Sequence, residues 1–289
     1  MTIFSTGDPQ VRRYENGKFW KVVSSGRKIA LVTVSSRGTE SHPSLLVELK
    51  SGTRLSPMQR NGFRAVVQAI LHLDLDLKPF YRAIKKDPVM NALAQRLRGL
   101  HFPTADNVFE ALVYAICEQQ ISLAAAHSIQ YRLIKEFGDR LTVEGKVYFG
   151  FPTPERLAAV SIGRLRRCGL STNKARAINN LAVLVAGRRF DPEKLKSLPS
   201  SEDVIAELMK LRGIGRWSAE YVLIRGMGRL DAVPADDPGI QKSIGHHYRR
   251  GKKVDGKTVR EIAASWGRWK SAALFYLMTA SRLGVEIRR

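Results

Sequence analysis

The 289-residue chain has few cysteines, and this limits the chemistry available to it. Its 2 cysteines, Cys117 and Cys168, lie far apart, each within an apolar helical pattern. Such a setting is typical of buried thiols in a reducing compartment. An iron–sulfur cluster needs four closely spaced cysteines, and this sequence cannot supply them.

Long apolar runs are absent as well. No stretch approaches the roughly 20 apolar residues of a membrane-spanning helix. The first residues, Met1-Thr2-Ile3-Phe4, lack the basic segment and apolar core of a secretion leader. We therefore expect a soluble intracellular protein without membrane contact. With 44% hydrophobic residues, the chain can bury a sizeable core.

Acidic residues are scarce relative to basic ones. The chain has 26 Asp and Glu against 48 Lys and Arg, a formal net charge of +22 at pH 7, and the excess is spread along its length. A surface this cationic releases condensed counterions when it meets phosphates. A polyanionic partner is expected, although a generically basic protein would have the same composition.

Strand-like alternation is confined to the start of the chain, as in Ala30–Val34. From Pro57 onward the apolar period becomes helical, and no later run is a convincing strand apart from short ambiguous runs. The predicted fold class is therefore α+β. We expect a β-rich N-terminal domain over residues 1–80, followed by mainly α-helical domains over residues 81–289.

Apolar periodicity and capping residues predict five helices in the second part of the chain. The first begins near Asp106, its expected N-cap, and the second runs from about Ser122 to Phe137 and stops at Gly138. The other three cover Lys174–Ala186, Val204–Leu211 and Val259–Ser281.

A glycine-rich turn lies in the segment Leu211-Arg212-Gly213-Ile214-Gly215-Arg216-Trp217-Ser218-Ala219. Gly213 and Gly215 leave no Cβ and tolerate positive φ, so the turn presents backbone N–H groups at a helix start, where the dipole favours an anion. A lone Gly-x-Gly is more often a helix C-cap. The surrounding apolar spacing instead favours a helix-hairpin-helix at 204–225 that grips a DNA phosphate, with Arg216 beside it.

The aspartate pair Asp236-Asp237 follows the hairpin closely. A carboxylate beside a clamped DNA backbone is unfavourable unless it acts on a cation, which in DNA chemistry indicates a sugar oxocarbenium ion. Because Pro238 comes next, Asp237 also fits a helix N-cap with proline at the first helical position. The two roles are compatible.

These residues resemble the helix-hairpin-helix DNA glycosylases, specifically the AlkA-type 3-methyladenine DNA glycosylases. The resemblance covers most of residues 100–280. It rests on Leu211-x-Gly-Ile-Gly-x-Trp-x-Ala, Val-Pro-Ala-Asp-Asp-x-x-Ile ending at Ile240, Gln119-Gln120-Ile121-Ser122, and Trp266-x-x-Trp269. It implies a monomer, in the cytoplasm with the nucleoid or in a eukaryotic nucleus, that flips alkylated bases out of double-stranded DNA and hydrolyses the N-glycosidic bond without a required cofactor.

The resemblance also assigns the chemistry to particular residues. The family's catalytic aspartate precedes an aliphatic residue by three positions, which selects Asp237, with Ile240, over Asp236. Members of the superfamily that also cut the backbone carry a lysine nucleophile two residues after the second hairpin glycine. This chain has Trp217 there, so we expect no lyase activity.

Three aromatic residues are expected to line the base pocket. Trp217 and Tyr221 share a helix face, and Trp269 matches a pocket aromatic of the AlkA type. A cationic alkylated base would gain a cation–π attraction of about 0.5–2 kcal/mol on such rings. Trp266 is expected to pack in the core instead.

Further contacts follow from the resemblance. Gln119 and Gln120 begin a turn whose family counterpart fills the gap left by the flipped nucleotide, and Gln120 is polar where AlkA is apolar. Independently of the resemblance, Lys174, beside the predicted cap Ser171, is a candidate phosphate contact, although ordinary helix capping is the preferred interpretation of this segment. The family binds Na⁺ or K⁺ through hairpin carbonyls, which here belong to Met209, Leu211 and Ile214.

Two alternatives remain open. A glycosylase for oxidised or deaminated bases is the nearer one, and the polar Gln120 leaves room for it. A non-enzymatic helix-hairpin-helix DNA-binding protein is the other. Such a protein needs the glycine hairpin but neither an aspartate at this offset nor a pocket lined with aromatics.

Overall fold

In the computed structural model, the described residues are 7–26, 28–39 and 42–285 of the chain. Met1 to Phe4, where the sequence lacks a leader pattern, lie outside them. The strands are β1 (Arg12–Glu15), β2 (Lys18–Ser25), β3 (Lys28–Ser36), β4 (Leu45–Lys50), β5 (Arg140–Val143) and β6 (Lys146–Phe149). The helices are α1 (Pro57–Leu71), α2 (Lys78–Ala83), α3 (Pro88–Arg96), α4 (Val108–Glu118), α5 (Leu123–Phe137), α6 (Pro154–Ala158), α7 (Ile162–Arg167), α8 (Thr172–Ala186), α9 (Ser201–Met209), α10 (Arg216–Arg225), α11 (Pro238–Tyr248), α12 (Gly256–Ala264) and α13 (Lys270–Leu283).

The element order confirms the predicted α+β class, because a four-stranded sheet opens the chain and helices follow. Two compact units form. The first combines the described residues up to Gln68 with Leu112–Pro192, and the second combines Ala69–Ala111 with the described residues from Glu193 onward. Both units thus join segments that are distant in sequence. The predicted domain boundary at residue 80 divides the chain in sequence order, and it stays a prediction.

The sheet of the first unit is antiparallel, with its strands in the order β1, β2, β3, β4. Successive side chains of a strand point to opposite faces, so Ala30 and Leu31 contact different partners. Ala30 packs with Phe63 of α1, whereas Leu31 and its strand partner Val22 pack with Leu141 of β5. The sheet therefore has apolar contacts on both faces.

The β5–β6 hairpin lies in the part of the chain where the sequence offered only short ambiguous runs. Its antiparallel strands meet at Glu144-Gly145, where both residues have positive φ, 50° and 75°. Two consecutive residues of this conformation match the twist of a hairpin. Each strand has only 4 residues, too short for a clear alternating pattern, so the sequence did not identify either of them as a strand.

Helix starts follow their capping residues. Ser122, the predicted start of α5, caps that helix by accepting from the Ala125 N–H at 3.3 Å. Ser171 caps α8 in the same way, as predicted for that residue. The N-cap of α4 is Asn107, whose Oδ1 accepts from the Glu110 N–H at 2.8 Å. The expected cap, Asp106, instead donates its N–H to the Glu110 carboxylate at 3.1 Å, which shifts the start by one residue.

The long helix expected at Val259–Ser281 is interrupted. In its place α12 ends at Ala264, a 3₁₀ turn covers Gly267–Trp269, and α13 begins at Lys270. Gly267 has a φ of 55°, which breaks the helical path and which glycine adopts without steric cost. A glycine between two tryptophans was the overlooked signal.

The second unit has an apolar core formed by α2, α3 and the helices from α11 to α13. Trp266 is fully buried there, as predicted, and its indole N–H donates to Asp87 Oδ2 at 3.0 Å. The same oxygen accepts from the Tyr248 hydroxyl at 2.7 Å. Burial raises the pKa of Tyr248. Asp87 also caps α3 through the Met90 N–H, so one carboxylate joins three parts of this unit.

Cys117 and Cys168 are free and buried, which confirms the prediction of buried thiols. Burial raises the pKa of Cys117 to about 12, so this thiol is unreactive at neutral pH. In the part of the chain that the structure describes, no helix combines the length and apolar character that a bilayer crossing requires.

Candidate active site

Helices α9 and α10 of the second unit form the predicted helix-hairpin-helix. Gly213 in the turn has a φ of 85°, a conformation that favours glycine. Gly215 is extended, with φ −98° and ψ 179°, and occupies the N-cap position of α10. Because glycine has no side-chain oxygen to cap the helix, this helix start can offer backbone N–H groups to an external anion.

The two hairpin helices are held by small and aliphatic contacts. The spacing predicted six apolar contact residues: five are buried, and the sixth, Leu211, is partly buried. The buried ones are Leu208, Ile214, Ala219, Val222 and Leu223. Ala219 leaves room for the helices to approach closely. The turn therefore has a fixed position relative to both helices.

Asp237 occupies the N-cap of α11. Its Oδ1 accepts from the N–H groups of Gly239 and Ile240 at 2.8 and 3.0 Å. Its Oδ2 accepts from the indole Nε1 of Trp217 at 3.0 Å. Three donors from two helices thus fix the orientation of this carboxylate. The capping role that the sequence indicated is confirmed.

The aromatic face predicted on α10 is present. The rings of Trp217 and Tyr221 lie 5.7 Å apart, centre to centre, at an angle of 38°, and both residues are partly exposed. Because Trp217 also holds Asp237, the carboxylate lies at the edge of this aromatic face. Trp217 therefore contacts the Asp237 carboxylate as well as lining the surface beside it, a bond that sequence reasoning did not foresee.

Trp269 is 8% exposed and packs in the apolar core of the second unit. Its ring lies 5.9 Å from that of Phe80, and the Arg268 guanidinium lies 5.5 Å from its centre. These contacts account for most of its surface. Its role in the base pocket stays a prediction.

Arg216, the first residue of α10, is engaged with acidic side chains. Its guanidinium lies 2.7 Å from the exposed carboxylate of Glu202 and 3.1 Å from that of Glu220. The Arg216 side chain remains 43% exposed. A phosphate arriving at the hairpin would compete with Glu202 for this guanidinium.

Sequence reasoning missed a second cluster next to Asp237. Arg260 of α12 donates to the carboxylate of Glu220 at 3.1 Å and to the Val233 carbonyl at 3.2 Å. Its guanidinium also lies 3.5 Å from Asp236. The sequence contained only a weak indication of Glu220, as an acidic residue among the apolar positions of α10, of which Ala219 and Val222 are buried. Nothing local in the sequence marked Arg260.

In the first unit, the turn between α4 and α5 holds Gln119 and Gln120. Gln120 is exposed and has a φ of 55°, in the left-handed region. Lys174 of α8 donates its amine to the carbonyls of Cys117 and Gln119, at 3.0 and 2.6 Å. Burial lowers the pKa of Lys174. The amine thus supports the Gln120 turn, and its predicted phosphate contact stays a prediction.

A family model described as "HhH-GPD superfamily base excision DNA repair protein" matches residues 113–268, more than half of the chain. The chain belongs to the HhH-GPD superfamily. The matched segment includes the hairpin, Asp237 and the Gln120 turn. The family therefore agrees with the motifs from which the resemblance was drawn.

Known HhH-GPD relatives have similar sequences and folds. The DNA-3-methyladenine glycosylase of Bacillus subtilis is 33% identical over 264 residues, covering 91% of this chain and 86% of the relative. The structure of the 3-methyladenine DNA-glycosylase of Archaeoglobus fulgidus superposes with a TM-score of 0.84 at 28% identity, covering 96% and 91% of the two chains.

An 8-oxoguanine glycosylase/lyase of Clostridium acetobutylicum, solved in complex with double-stranded DNA, has a TM-score of 0.74. It is only 18% identical, over 96% of this chain and 89% of its own. At that identity the likeness concerns the HhH-GPD fold alone.

The hairpin carbonyls of this HhH-GPD protein have the chemistry that an alkali cation requires. Met209 is the last residue of α9, so its carbonyl lies beyond the last intrahelical bond. The carbonyl of Leu211 accepts from the Ile214 N–H at 3.1 Å and retains a second lone pair. Hard oxygen donors of this type suit Na⁺ or K⁺. Within residues 7–26, 28–39 and 42–285, no group of three or more His, Cys, Asp or Glu side chains could hold a metal.

Proposed function

We propose that this chain is a monofunctional DNA glycosylase that removes alkylated bases of the 3-methyladenine type in base excision repair. The observation that carries the proposal is the bond from Trp217 to Asp237. It joins the helix that begins at the glycine hairpin to the carboxylate suited to the reaction. One rigid element thereby links phosphate binding to the position of the acid.

The reaction is hydrolysis of the N-glycosidic bond of a flipped nucleotide. As the bond from C1′ to the base breaks, the sugar acquires oxocarbenium character, and the negative Asp237 stabilises that charge. Asp237 also orients a water molecule or takes its proton as the water oxygen bonds to C1′. The electron pair leaves with the base, and the products are the free base and an abasic site.

Alkylated bases suit this site for a chemical reason. N-alkylation places positive charge on the base and weakens the glycosidic bond, so modest stabilisation suffices for its release. The aromatic face of Trp217 and Tyr221 favours such a cation through its π electrons. We propose that Trp269 adds a further wall to the pocket.

The absence of lyase activity follows from Trp217. Cutting the backbone through a Schiff base requires an amine at this position. An indole nitrogen is a donor only, and here it donates to Asp237. Water is therefore the nucleophile, and the DNA backbone remains intact after base release.

We propose double-stranded DNA with a damaged base as the partner of a monomeric enzyme, acting in the cytoplasm on the nucleoid or in a nucleus. The net charge of +22 and the HhH-GPD family support DNA as the partner. The N–H groups near Gly213 and Gly215, together with Arg216, would bind phosphate. Gln119 and Gln120 would occupy the gap left by the flipped nucleotide.

A Na⁺ or K⁺ ion would be held by the carbonyls of Met209, Leu211 and Ile214. When bound, it would supply positive charge beside the DNA phosphate at the hairpin. The chemical step requires no cofactor, because Asp237 and water perform it.

The function is tested by incubating the protein with duplexes that carry 3-methyladenine, hypoxanthine or 8-oxoguanine. Abasic sites are then scored with and without alkali. We expect the fastest release from the 3-methyladenine duplex and strand breaks only after alkali. Faster release of the other two bases would favour oxidised or deaminated substrates. DNA binding without release of any base would indicate a non-enzymatic protein, and breaks without alkali would contradict the role of Trp217.

A further inference from the structure

Glu220 is a buried acid on the hairpin helix α10. Its side chain is 3% exposed, and Oε1 accepts from the guanidinium groups of Arg216 and Arg260, each at 3.1 Å. Its Oε2 is buried and has no hydrogen-bond partner among the described residues. A buried carboxylate needs charged partners such as these two guanidinium groups, because removal from water disfavours its charge.

Besides Glu220, Arg260 contacts the segment that leads to Asp237. Its Nη1 donates both to Glu220 and to the Val233 carbonyl, and its Nη2 lies 3.5 Å from Oδ2 of Asp236. The planar guanidinium fixes the directions of these contacts. Arg260 therefore joins α10 to both ends of the segment 233–236, immediately before Asp237.

We infer that Glu220 and Arg260 are positioning residues that hold the Asp237 carboxylate in its reactive orientation. Glu220 lies three residues after Trp217 on α10, on a neighbouring part of the same helix surface. Helix α10 thus holds the aspartate segment at two points. Trp217 binds the Asp237 carboxylate, and Glu220 binds the segment 233–236 through Arg260. This inference rests on the proposed function of Asp237.

The pair is suited to positioning because its geometry is specific. Without Arg260, the 233–236 segment would lose a side-chain donor, and Glu220 would keep only the partly exposed Arg216. A displacement of about 1 Å at a reacting group can reduce a rate about a hundredfold. Phosphate binding at the hairpin does not pass through Arg260, so DNA affinity is expected to persist.

The test compares Arg260→Ala, Arg260→Lys and Glu220→Gln in the full chain. Single-turnover release of 3-methyladenine and the Kd for duplex DNA are measured for each variant. For Arg260→Ala we expect release about 30-fold slower or more, with Kd within about threefold of the parent. Arg260→Lys, which keeps the charge, should recover part of the rate. Lys196→Ala, which removes an exposed ion pair with Glu193, is the control and should match the parent.

A second measurement does not depend on activity. The indole N–H of Trp217, assigned in an ¹H–¹⁵N spectrum by its loss in Trp217→Phe, reports its bond to Asp237. Arg260→Ala should shift or broaden this signal. A release rate within threefold of the parent and an unshifted Trp217 signal would overturn the inference. If Arg260→Ala fails to fold, Glu220→Gln carries both measurements, with release about tenfold slower expected.

Failure of the inference and failure of the proposed function are distinguishable. If the parent releases the base and Asp237→Asn does not, the function stands whatever the Arg260 variants do. If the parent releases no base, the function fails, and the Trp217 signal still tests the positioning of Asp237.

Discussion

At the scale of single residues, Trp217 connects the hairpin helix α10 to the Asp237 carboxylate. Its ring lies beside Tyr221, and its indole N–H donates to Asp237 at 3.0 Å. A lysine there would be the nucleophile of a lyase. In this chain the same position instead holds an indole that donates to Asp237, the acid that we propose works with water.

Trp217→Phe separates the two roles of this residue, because phenylalanine keeps an aromatic face but has no N–H donor. A hydrogen bond to a charged group contributes about 1.5–3 kcal/mol, and about 1.4 kcal/mol corresponds to a tenfold change in rate. We expect single-turnover base release to fall about tenfold or more while DNA affinity stays nearly constant. An unchanged rate in a quench time course would show that the bond does not orient Asp237.

Glu220 predicts a pH dependence of stability. Burial raises its pKa above the ordinary value, and the guanidinium groups of Arg216 and Arg260 oppose the shift only in part. Asp236 and Glu202 are the other charged groups of this cluster. The stabilising contribution of a raised carboxyl pKa is complete below the pKa of the unfolded chain and is lost as pH rises through the folded pKa.

Glu220→Gln removes this titration. From about pH 4 upward, the free energy of unfolding of the parent should fall relative to that of Glu220→Gln. Urea denaturation of both proteins over a series of pH values measures the difference. A difference that grows in favour of the parent as pH rises would contradict the assigned direction.

Much of the site could be predicted from local sequence, but its tertiary bonds could not. The glycine hairpin and the N-cap Asp237 are local features, so the glycine spacing and the Asp237-Pro238 pair indicated them, and the family resemblance selected Asp237 over Asp236. The bond between Trp217 and Asp237 depends on side-chain rotamers across two helices. The contact of Glu220 with Arg260 joins residues that no local pattern relates.

At the scale of elements, Lys174 ties α8 to the end of α4. Its amine donates to the carbonyl of Cys117, in the last turn of α4, and to that of Gln119, next to Gln120. The carbonyls at a helix end lack intrahelical partners, and this amine satisfies two of them. The arrangement gives the Gln120 turn a defined conformation before any DNA is bound.

Lys174→Met should lower the free energy of unfolding by about 1–3 kcal/mol, because two carbonyls lose their charged donor. Urea denaturation measures this loss. Arg176→Met is a matched control, since Arg176 is an exposed cation on the same helix, and its effect should stay within about 0.5 kcal/mol. Equal effects of the two substitutions would show that the Lys174 contacts add no stability.

Element prediction succeeded where caps and periodicity agreed and failed where they were weak. Helix α5 has a serine cap, an apolar face and a glycine stop, and its predicted bounds were confirmed. The β5–β6 hairpin was missed because its strands are short. The single helix expected after Val259 was wrong because the positive φ of Gly267 divides it.

At the scale of the whole molecule, the excess of basic residues is the dominant feature. The formal net charge of +22 arises from residues spread along the chain. Such a charge draws the protein to DNA without regard to sequence or damage. In the mechanism that we propose, recognition of the lesion then depends on which nucleotide can be flipped and on the Trp217 face.

The salt dependence of DNA binding follows from this charge. For undamaged duplex, log Kd should change with log salt concentration by a slope of about 3 or more, because each neutralised phosphate contributes about 0.9. Fluorescence anisotropy of a labelled duplex across a salt series gives the slope. Binding that is insensitive to salt would contradict a phosphate-dominated interface.

The most direct test of the central claim is base release by Asp237→Asn. Asparagine also caps helices well, so α11 and the fold should be retained while the negative charge is lost. We expect single-turnover release of 3-methyladenine to fall by at least about a hundredfold with duplex affinity nearly unchanged, and Asp236→Asn to be the milder change. Substantial release by Asp237→Asn, or greater damage from Asp236→Asn, would contradict the account.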